Sequence, residues 1–95
     1  MHLINQLWTH YYNDTIDQAK QLNWSLSEVN QQDNNGQTLL MIASIDNNKK
    51  WIEYLLEIGA DENIVDYQGY KAITLAAKLG LDKVMIHFLK TGAGG

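Results

Sequence analysis

The chain repeats itself at an interval of 33 residues, and this repeat limits its fold more than any other feature. A further shift by the same interval aligns the N-terminal stretch without a gap, placing Leu22 on Leu55 and Val29 on Glu62. The sequence therefore indicates a degenerate first copy of the repeat followed by two clearer copies. The pairs that carry the repeat are Asp33 and Asp66, Gly36 and Gly69, Ala43 and Ala76, Leu56 and Leu89, and Gly59 and Gly92.

The 95 residues suit one domain. We expect residues 1–32 to form an N-terminal capping copy, 33–65 a middle repeat, and 66–95 a C-terminal repeat with a tail. Copies of this length are single supersecondary units that bury their apolar faces only by stacking, so about three of them form a minimal shared core.

Apolar spacing predicts two antiparallel helices in the first copy. The first helix carries one apolar face, on Leu3, Ile4, Leu7 and Tyr11. Asp14 has the position of an N-cap for the second helix, with Asp17 in its first turn. Its buried face should then continue through Ile16, Ala19 and Leu22.

The middle copy repeats the plan more strongly. Thr38 is a suitable N-cap for an apolar helix over residues 39–45, and Asn47 and Asn48 break the chain and cap the next helix. Leu55 and Leu56 in that second helix should both be buried by neighbouring copies. Gly59 suits the left-handed position after a helix end, and Asp66 to Gly69 predicts a type I turn in a hairpin-like link.

These residues resemble the ankyrin repeat family. The likeness rests on Asp33 to Ala43, read as Asp-Asn-Asn-Gly-Gln-Thr-Leu-Leu-Met-Ile-Ala, and on Gly59-Ala60-Asp61-Glu62-Asn63. It covers residues 33–93 clearly and residues 3–32 loosely. The resemblance implies an all-α solenoid of about three helix-turn-helix units linked by β-hairpin-like turns, with six helices in three antiparallel pairs.

The chain departs from the family pattern at several positions. The favoured Thr-Pro-Leu-His opening lacks its Pro in both clear copies, and Lys71 replaces the capping Thr in the last one, at a cost of about 1 kcal/mol. His10 replaces a small residue, which predicts looser packing or a place on the rim. Glu62 replaces an apolar residue.

Apolar side chains surround the last helix more fully than one inward stripe requires. We expect Met85, Ile86 and Leu89 to form a self-association surface or the seam for a further repeat.

Composition excludes several function classes. The chain has no Cys and no Arg, and seven Lys against eleven acidic residues give a net charge of -4. Thiol chemistry and bidentate phosphate clamps are therefore missing, and we expect no nucleic-acid partner. The apolar runs are too short to span a bilayer, and the N-terminus lacks the pattern of a signal peptide. We expect no membrane partner and a cytoplasmic location, or delivery into a host cell if the protein is an effector.

No catalytic, cofactor or metal site is expected. The serines at positions 25, 27 and 44 lack a nucleophile motif, and the histidines at 2, 10 and 87 lack ligand spacing. We interpret Gly94 and Gly95 as a flexible tail rather than as the diglycine end of a ubiquitin-like modifier.

The resemblance implies that partners are gripped by the turn tips and by the exposed side of the first helix in each copy. Three tyrosines, an isoleucine and a leucine would lie on this surface, where aromatic residues are enriched at binding hot spots. We call the predicted partner-binding set the strip: Tyr12, Asn34, Asn35, Gln37, Ile45, Asp46, Tyr67, Gln68, Tyr70, Lys78 and Leu79.

The sequence therefore predicts a non-enzymatic protein-binding module that inhibits or neutralises its partner, as an immunity protein or an effector would. The alternative is a fragment or subunit of a longer ankyrin array with a scaffolding role. An enzyme is a distant third reading.

Overall fold

The computed structural model describes residues 5–81, and all the regular structure in that range is helical. Its six helices are α1 (Gln6–Asn13), α2 (Ile16–Ala19), α3 (Leu26–Val29), α4 (Leu39–Ile45), α5 (Lys49–Glu57) and α6 (Ala72–Lys78). The predicted all-α fold is confirmed. Within the described residues α3 is an additional turn that was not predicted, and the expected partner of α6 lies outside them.

The junction between α1 and α2 differs from the sequence prediction. Asn5 caps α1, accepting the N–H of Leu7 at 2.9 Å. Asp14 does not cap α2; it follows α1 in the left-handed conformation, with φ of 55°. Thr15 occupies the N-cap position of α2 without a side-chain hydrogen bond. The helix α2 therefore begins without the cap that the sequence predicted.

The α2 helix ends at Ala19, so the buried face does not reach Leu22. The carbonyl of Ala19 accepts the indole N–H of Trp24 at 3.1 Å and the hydroxyl of Tyr54 at 3.0 Å. The same carbonyl also accepts the backbone N–H of Leu22 at 3.1 Å, three residues later, so the chain closes a tighter turn there instead of continuing the α-helix. Leu22 is consequently 48% exposed, and its predicted burial was wrong.

The α3 helix was not predicted. Ser25 accepts the N–H of Glu28 at 3.1 Å, while the Glu28 carboxylate accepts the Ser25 N–H at 3.0 Å. This is a capping box. Its Ser-x-x-Glu spacing was present in the sequence and could have located the helix.

The middle copy confirms its predicted caps. Thr38 Oγ1 accepts the N–H of Met41 at 3.3 Å, and Asn48 Oδ1 accepts that of Trp51 at 3.4 Å. Asn47 lies between the helices with φ of 54°, and Gly59 follows α5 with φ of 104°. The two helices of this copy are thus delimited by the residues that the sequence indicated.

The core runs from α1 and α2 through α4 and α5 to α6, and α4 packs against both α5 and α6. Leu55 is fully buried, as predicted, but Leu56 is only partly buried at the edge of the core, so its predicted full burial was wrong. An edge-to-face ring contact ties the first copy to the second, with the ring centres of Tyr11 and Trp51 5.2 Å apart. The fully buried large side chains are Trp51, Leu7, Leu39, Leu40, Met41, Ile52, Leu55, Val29, Thr38 and Ser44.

The last copy enters the described range only through its turn and α6. Lys71 precedes α6 without a side-chain cap, as expected from the loss of Thr there. The surface expected on Met85, Ile86 and Leu89 lies outside the described residues. Within residues 5–81, no helix has both the length and the apolar character needed to cross a membrane.

Candidate partner-binding surface

The two turn tips are built by the same hydrogen bonds, 33 residues apart. Asp33 Oδ1 accepts the backbone N–H groups of Asn35 and Gln37, at 2.8 and 2.9 Å. Asp66 Oδ1 makes the same two bonds, both 2.9 Å, to the N–H groups two and four residues later. Each tip therefore has a fixed backbone, and its outward side chains are held in a defined place.

Hydrogen bonds also join one tip to the next. The backbone N–H of Tyr67 donates to the carbonyl of Asn35 at 3.2 Å. Gln32 lies between the copies, and its Nε2 donates to the carbonyls of Gly36 at 2.7 Å and Val65 at 2.9 Å. The spacing of the tips is thus set by the chain itself before any partner binds.

The ring of Tyr67 lies against Gly36. Gly36 has φ of 78°, and a Cβ there would lie 2.5 Å from Cδ1 of Tyr67 and 2.7 Å from its backbone nitrogen. Only glycine allows this approach. The other side of the Tyr67 ring faces solvent, since the residue is 73% exposed. Tyr67 therefore has a supported position and a free face.

A cleft of about 390 Å³ lies at the joined tips. It brings together four residues of the strip with Asp66, which is buried beneath them. Asn34 is exposed at the first tip. The residues that line the cleft are Asn35, Gln37, Asp66, Tyr67 and Gln68.

Tyr12 and Asp46 form a second group, at the ends of α1 and α4. The hydroxyl of Tyr11 donates to Asp46 Oδ2 at 2.6 Å, and its ring lies 5.3 Å from that of Tyr12. Burial, and then the Asp46 and Asp33 carboxylates, raise the pKa of Tyr12. Burial and the bond to Asp46 raise the pKa of Tyr11 far above its usual value. The exposed Tyr12 ring thus stands in an acidic neighbourhood.

The third group lies at the last described helix. The ammonium of Lys78 lies 4.0 Å from the centre of the Tyr70 ring, a cation–π contact. Tyr70 is therefore half-buried rather than free. Leu79 follows α6 and is 55% exposed.

Eight of the eleven strip residues thus fall in three groups: the tip cleft, the Tyr12 and Asp46 pair, and the Tyr70 and Lys78 pair. Ile45, next to Asp46, is half-buried. The predicted strip did not include Asp33, Asp66 or Tyr11, which hold the groups in place. The sequence indicated the two aspartates only as a repeat pair at the turns, where Asp is favoured at the first position.

His10 belongs to the rim of the first copy. Its Nδ1 lies 2.7 Å from Thr15 Oγ1, and its ring lies 6.0 Å from that of Trp24. Among residues 5–81, no group of His, Asp and Glu side chains has an arrangement that could hold a metal ion.

The comparisons with known proteins agree with this geometry. A sequence profile of ankyrin repeats in three copies matches residues 7–94. The chain belongs to the ankyrin repeat family. Ankyrin repeats are protein-interaction modules, and the family is typically non-enzymatic.

Two curated relatives share sequence with this ankyrin protein. NF-kappa-B inhibitor delta of Mus musculus is 37% identical over 57 residues, which are 60% of this chain and 17% of that protein. L-asparaginase of Dirofilaria immitis is 38% identical over 64 residues, which are 67% of this chain and 11% of that protein. The chain thus spans less than a fifth of either relative. A match to so small a part of an enzyme does not carry its activity over.

Proposed function

We propose that this ankyrin protein binds another protein through the strip and, by covering that protein's surface, inhibits or neutralises it. The observation that carries the proposal is the position of the Tyr67 ring, which packs on Gly36, faces solvent and borders the tip cleft. A large aromatic side chain held in place loses little conformational entropy on binding, which suits a hot spot. One relative is itself named an inhibitor, which supports inhibition as the outcome.

The carboxylates beside Tyr12 favour a basic partner surface at that end of the strip. The exposed ring of Tyr12 lies near the carboxylates of Asp46 and Asp33, and the whole chain carries a net charge of -4. A lysine or arginine side chain of the partner could contact the ring face and a carboxylate together. The excess negative charge would also speed the encounter with a basic protein.

The experiment compares binding by matched variants. The full chain is used as bait, and the captured partner is titrated against the wild type, Tyr67→Ser and the control Gln21→Ala, which lies on the exposed end of the first copy. We expect Tyr67→Ser to weaken the complex at least tenfold, about 1.4 kcal/mol, with little change in melting temperature. The control should bind like the wild type. Equal affinity for all three proteins would refute binding through the tips.

Inhibition is tested separately once the partner is known. We expect the partner's own activity to fall in proportion to the complex formed, and to recover with Tyr67→Ser at the same concentration. A partner that is bound at full activity would favour the scaffolding alternative. Fractionation of the native cells would test the cytoplasmic location that we propose for this encounter.

A further inference from the structure

A second surface of the molecule shares no residue with the strip. A cleft of about 410 Å³ lies between the ends of α2 and α5, and two apolar side chains, Leu22 and Ile58, line it. Leu26 adjoins it, because its Cδ2 would lie 2.5 Å from a Cβ at Gly59, the residue after Ile58. Leu22 and Leu26 are 48% and 65% exposed. We call Leu22, Leu26 and Ile58, with Lys20 and Glu57, the outer patch.

Two opposite charges stand on the two walls of this cleft. Lys20 directly follows α2, and Glu57 is the last residue of α5. Between them lies Tyr54, whose ring centre is 5.9 Å from the Lys20 ammonium. The hydroxyl of Tyr54 is held by the Ala19 carbonyl and the Trp24 indole. The two walls are therefore fixed to each other.

We propose that the outer patch is an interface between two copies of this chain, related by a twofold axis. A twofold interface uses the same surface on both copies, so the surface must complement itself. An apolar centre with a cation on one wall and an anion on the other meets this condition. The axis places each Lys20 opposite the partner's Glu57, and the leucines of the two copies pack together. A patch with charges of one sign would repel its own copy.

The interface is small and its ion pairs are exposed, so the dimer is weak. Exposed ion pairs contribute little each, and the apolar centre supplies most of the attraction. We expect a dissociation constant on the order of 100 μM, in the range of transient contacts. The outer patch shares no residue with the strip, so we expect the dimer to present two strips and to bind a repetitive or dimeric partner with increased avidity.

The test is sedimentation equilibrium of the full chain, from about 10 μM to about 1 mM. The wild type should shift from monomer to dimer over this range. Leu22→Asp should remain monomeric. Lys20→Glu and Glu57→Lys should each weaken the dimer by about tenfold or more, because each variant faces its own copy with like charges. Lys49→Glu is the matched control, since Lys49 is exposed and outside the outer patch. It should dimerise like the wild type.

Mixing provides the decisive measurement. Equal amounts of Lys20→Glu and Glu57→Lys should form a heterodimer with about wild-type affinity, because every pair across the axis again has opposite charges. Thermal melts check that all variants are folded. A wild type that is monomeric at about 1 mM overturns the proposal. A dimer whose affinity is unchanged in the outer-patch variants but which is lost in Ile86→Lys would place the contact on the surface predicted around Ile86. That result would also overturn the proposal. Failure of the mixture to associate refutes the twofold arrangement.

Discussion

The second helix of a copy is four residues long in the first copy and nine in the middle copy, although the two stretches align without a gap. In the middle copy, α5 starts at a side-chain cap and buries four residues on one face. In the first copy, α2 has no side-chain cap, and its last carbonyl accepts the Trp24 indole, the Tyr54 hydroxyl and the Leu22 N–H of a tighter final turn. The comparison shows that equal spacing does not ensure equal helices, because a contact with the neighbouring copy can end one early.

The strongest test of this comparison is to shorten the side chain at the same repeat position in both copies. Leu55 is fully buried, whereas Leu22, 33 residues earlier, is 48% exposed. We expect Leu55→Ala to lower the free energy of unfolding by roughly 2 to 4 kcal/mol, and Leu22→Ala by less than about 0.5 kcal/mol. Leu56→Ala should fall between them, since Leu56 is partly buried. Denaturant titration measures all three, and similar losses for Leu22 and Leu55 would contradict the early end of α2.

The two turn tips offer a second matched pair. Gly36 and Gly69 both have positive φ, of 78° and 88°, but a Cβ at Gly36 meets Tyr67, whereas one at Gly69 meets no atom of residues 5–81 within 4 Å. Gly69→Ala should cost about 1 kcal/mol for the left-handed backbone alone. Gly36→Ala should cost at least about 1 kcal/mol more, because a backbone atom must move. Equal melting temperatures for the two variants would show that the tips are not joined as described.

The two helix N-caps should give smaller changes in stability, with opposite signs at the two positions. Thr38 caps α4 through the N–H of Met41, whereas the Lys71 side chain makes no capping bond to α6 and instead donates to Asn63 Oδ1 at 3.4 Å. Thr38→Ala should destabilise the protein by about 1 kcal/mol, and Lys71→Thr should stabilise it by roughly 0.5 to 1 kcal/mol. Thermal unfolding of the two variants and of the wild type tests both signs. A loss of stability in Lys71→Thr would show that the lysine has a role beyond the cap position.

The smallest effect concerns Glu62, which aligns with the fully buried Val29 of the first copy. Its Oε2 atom is buried and makes no hydrogen bond within the described part of the chain. Burial, and then the charge of Asp61, raise the pKa of Glu62. A raised pKa means that the folded state favours the protonated carboxyl. The contribution of Glu62 to stability is therefore present below its ordinary pKa and is lost as the pH rises through the raised pKa.

We therefore expect Glu62→Gln to stabilise the protein at pH 7 and to give a smaller gain near pH 4. Asp17→Asn is a matched control, because Asp17 is exposed on α2. Its effect on unfolding should not follow the same trend with pH. A gain from Glu62→Gln that is equal at both pH values would show that charge burial is not the cause.

Local signals were enough to predict the middle copy. Thr38, Asn48 and Gly59 mark the helix ends in both the sequence and the structure, since caps act over three or four residues of chain. The two turn aspartates, Asp33 and Asp66, were likewise indicated by the residues next to them in the chain. Ser25 and Glu28 could have located α3 by the same reasoning. Of the strip, the exposure of Tyr67 and Leu79 followed from their positions in the repeat.

The sequence by itself determined the period, the helical fold, the family and the middle copy's caps, because these depend on residue types at short, regular spacing. Only the tertiary structure decided where α2 ends, that Lys78 covers Tyr70, and that Tyr67 rests on Gly36. Each of these depends on side chains from different copies or elements meeting in space. Spacing along a chain places such residues in the same copy or on the same helix, but contact with a neighbour decides which of them are exposed.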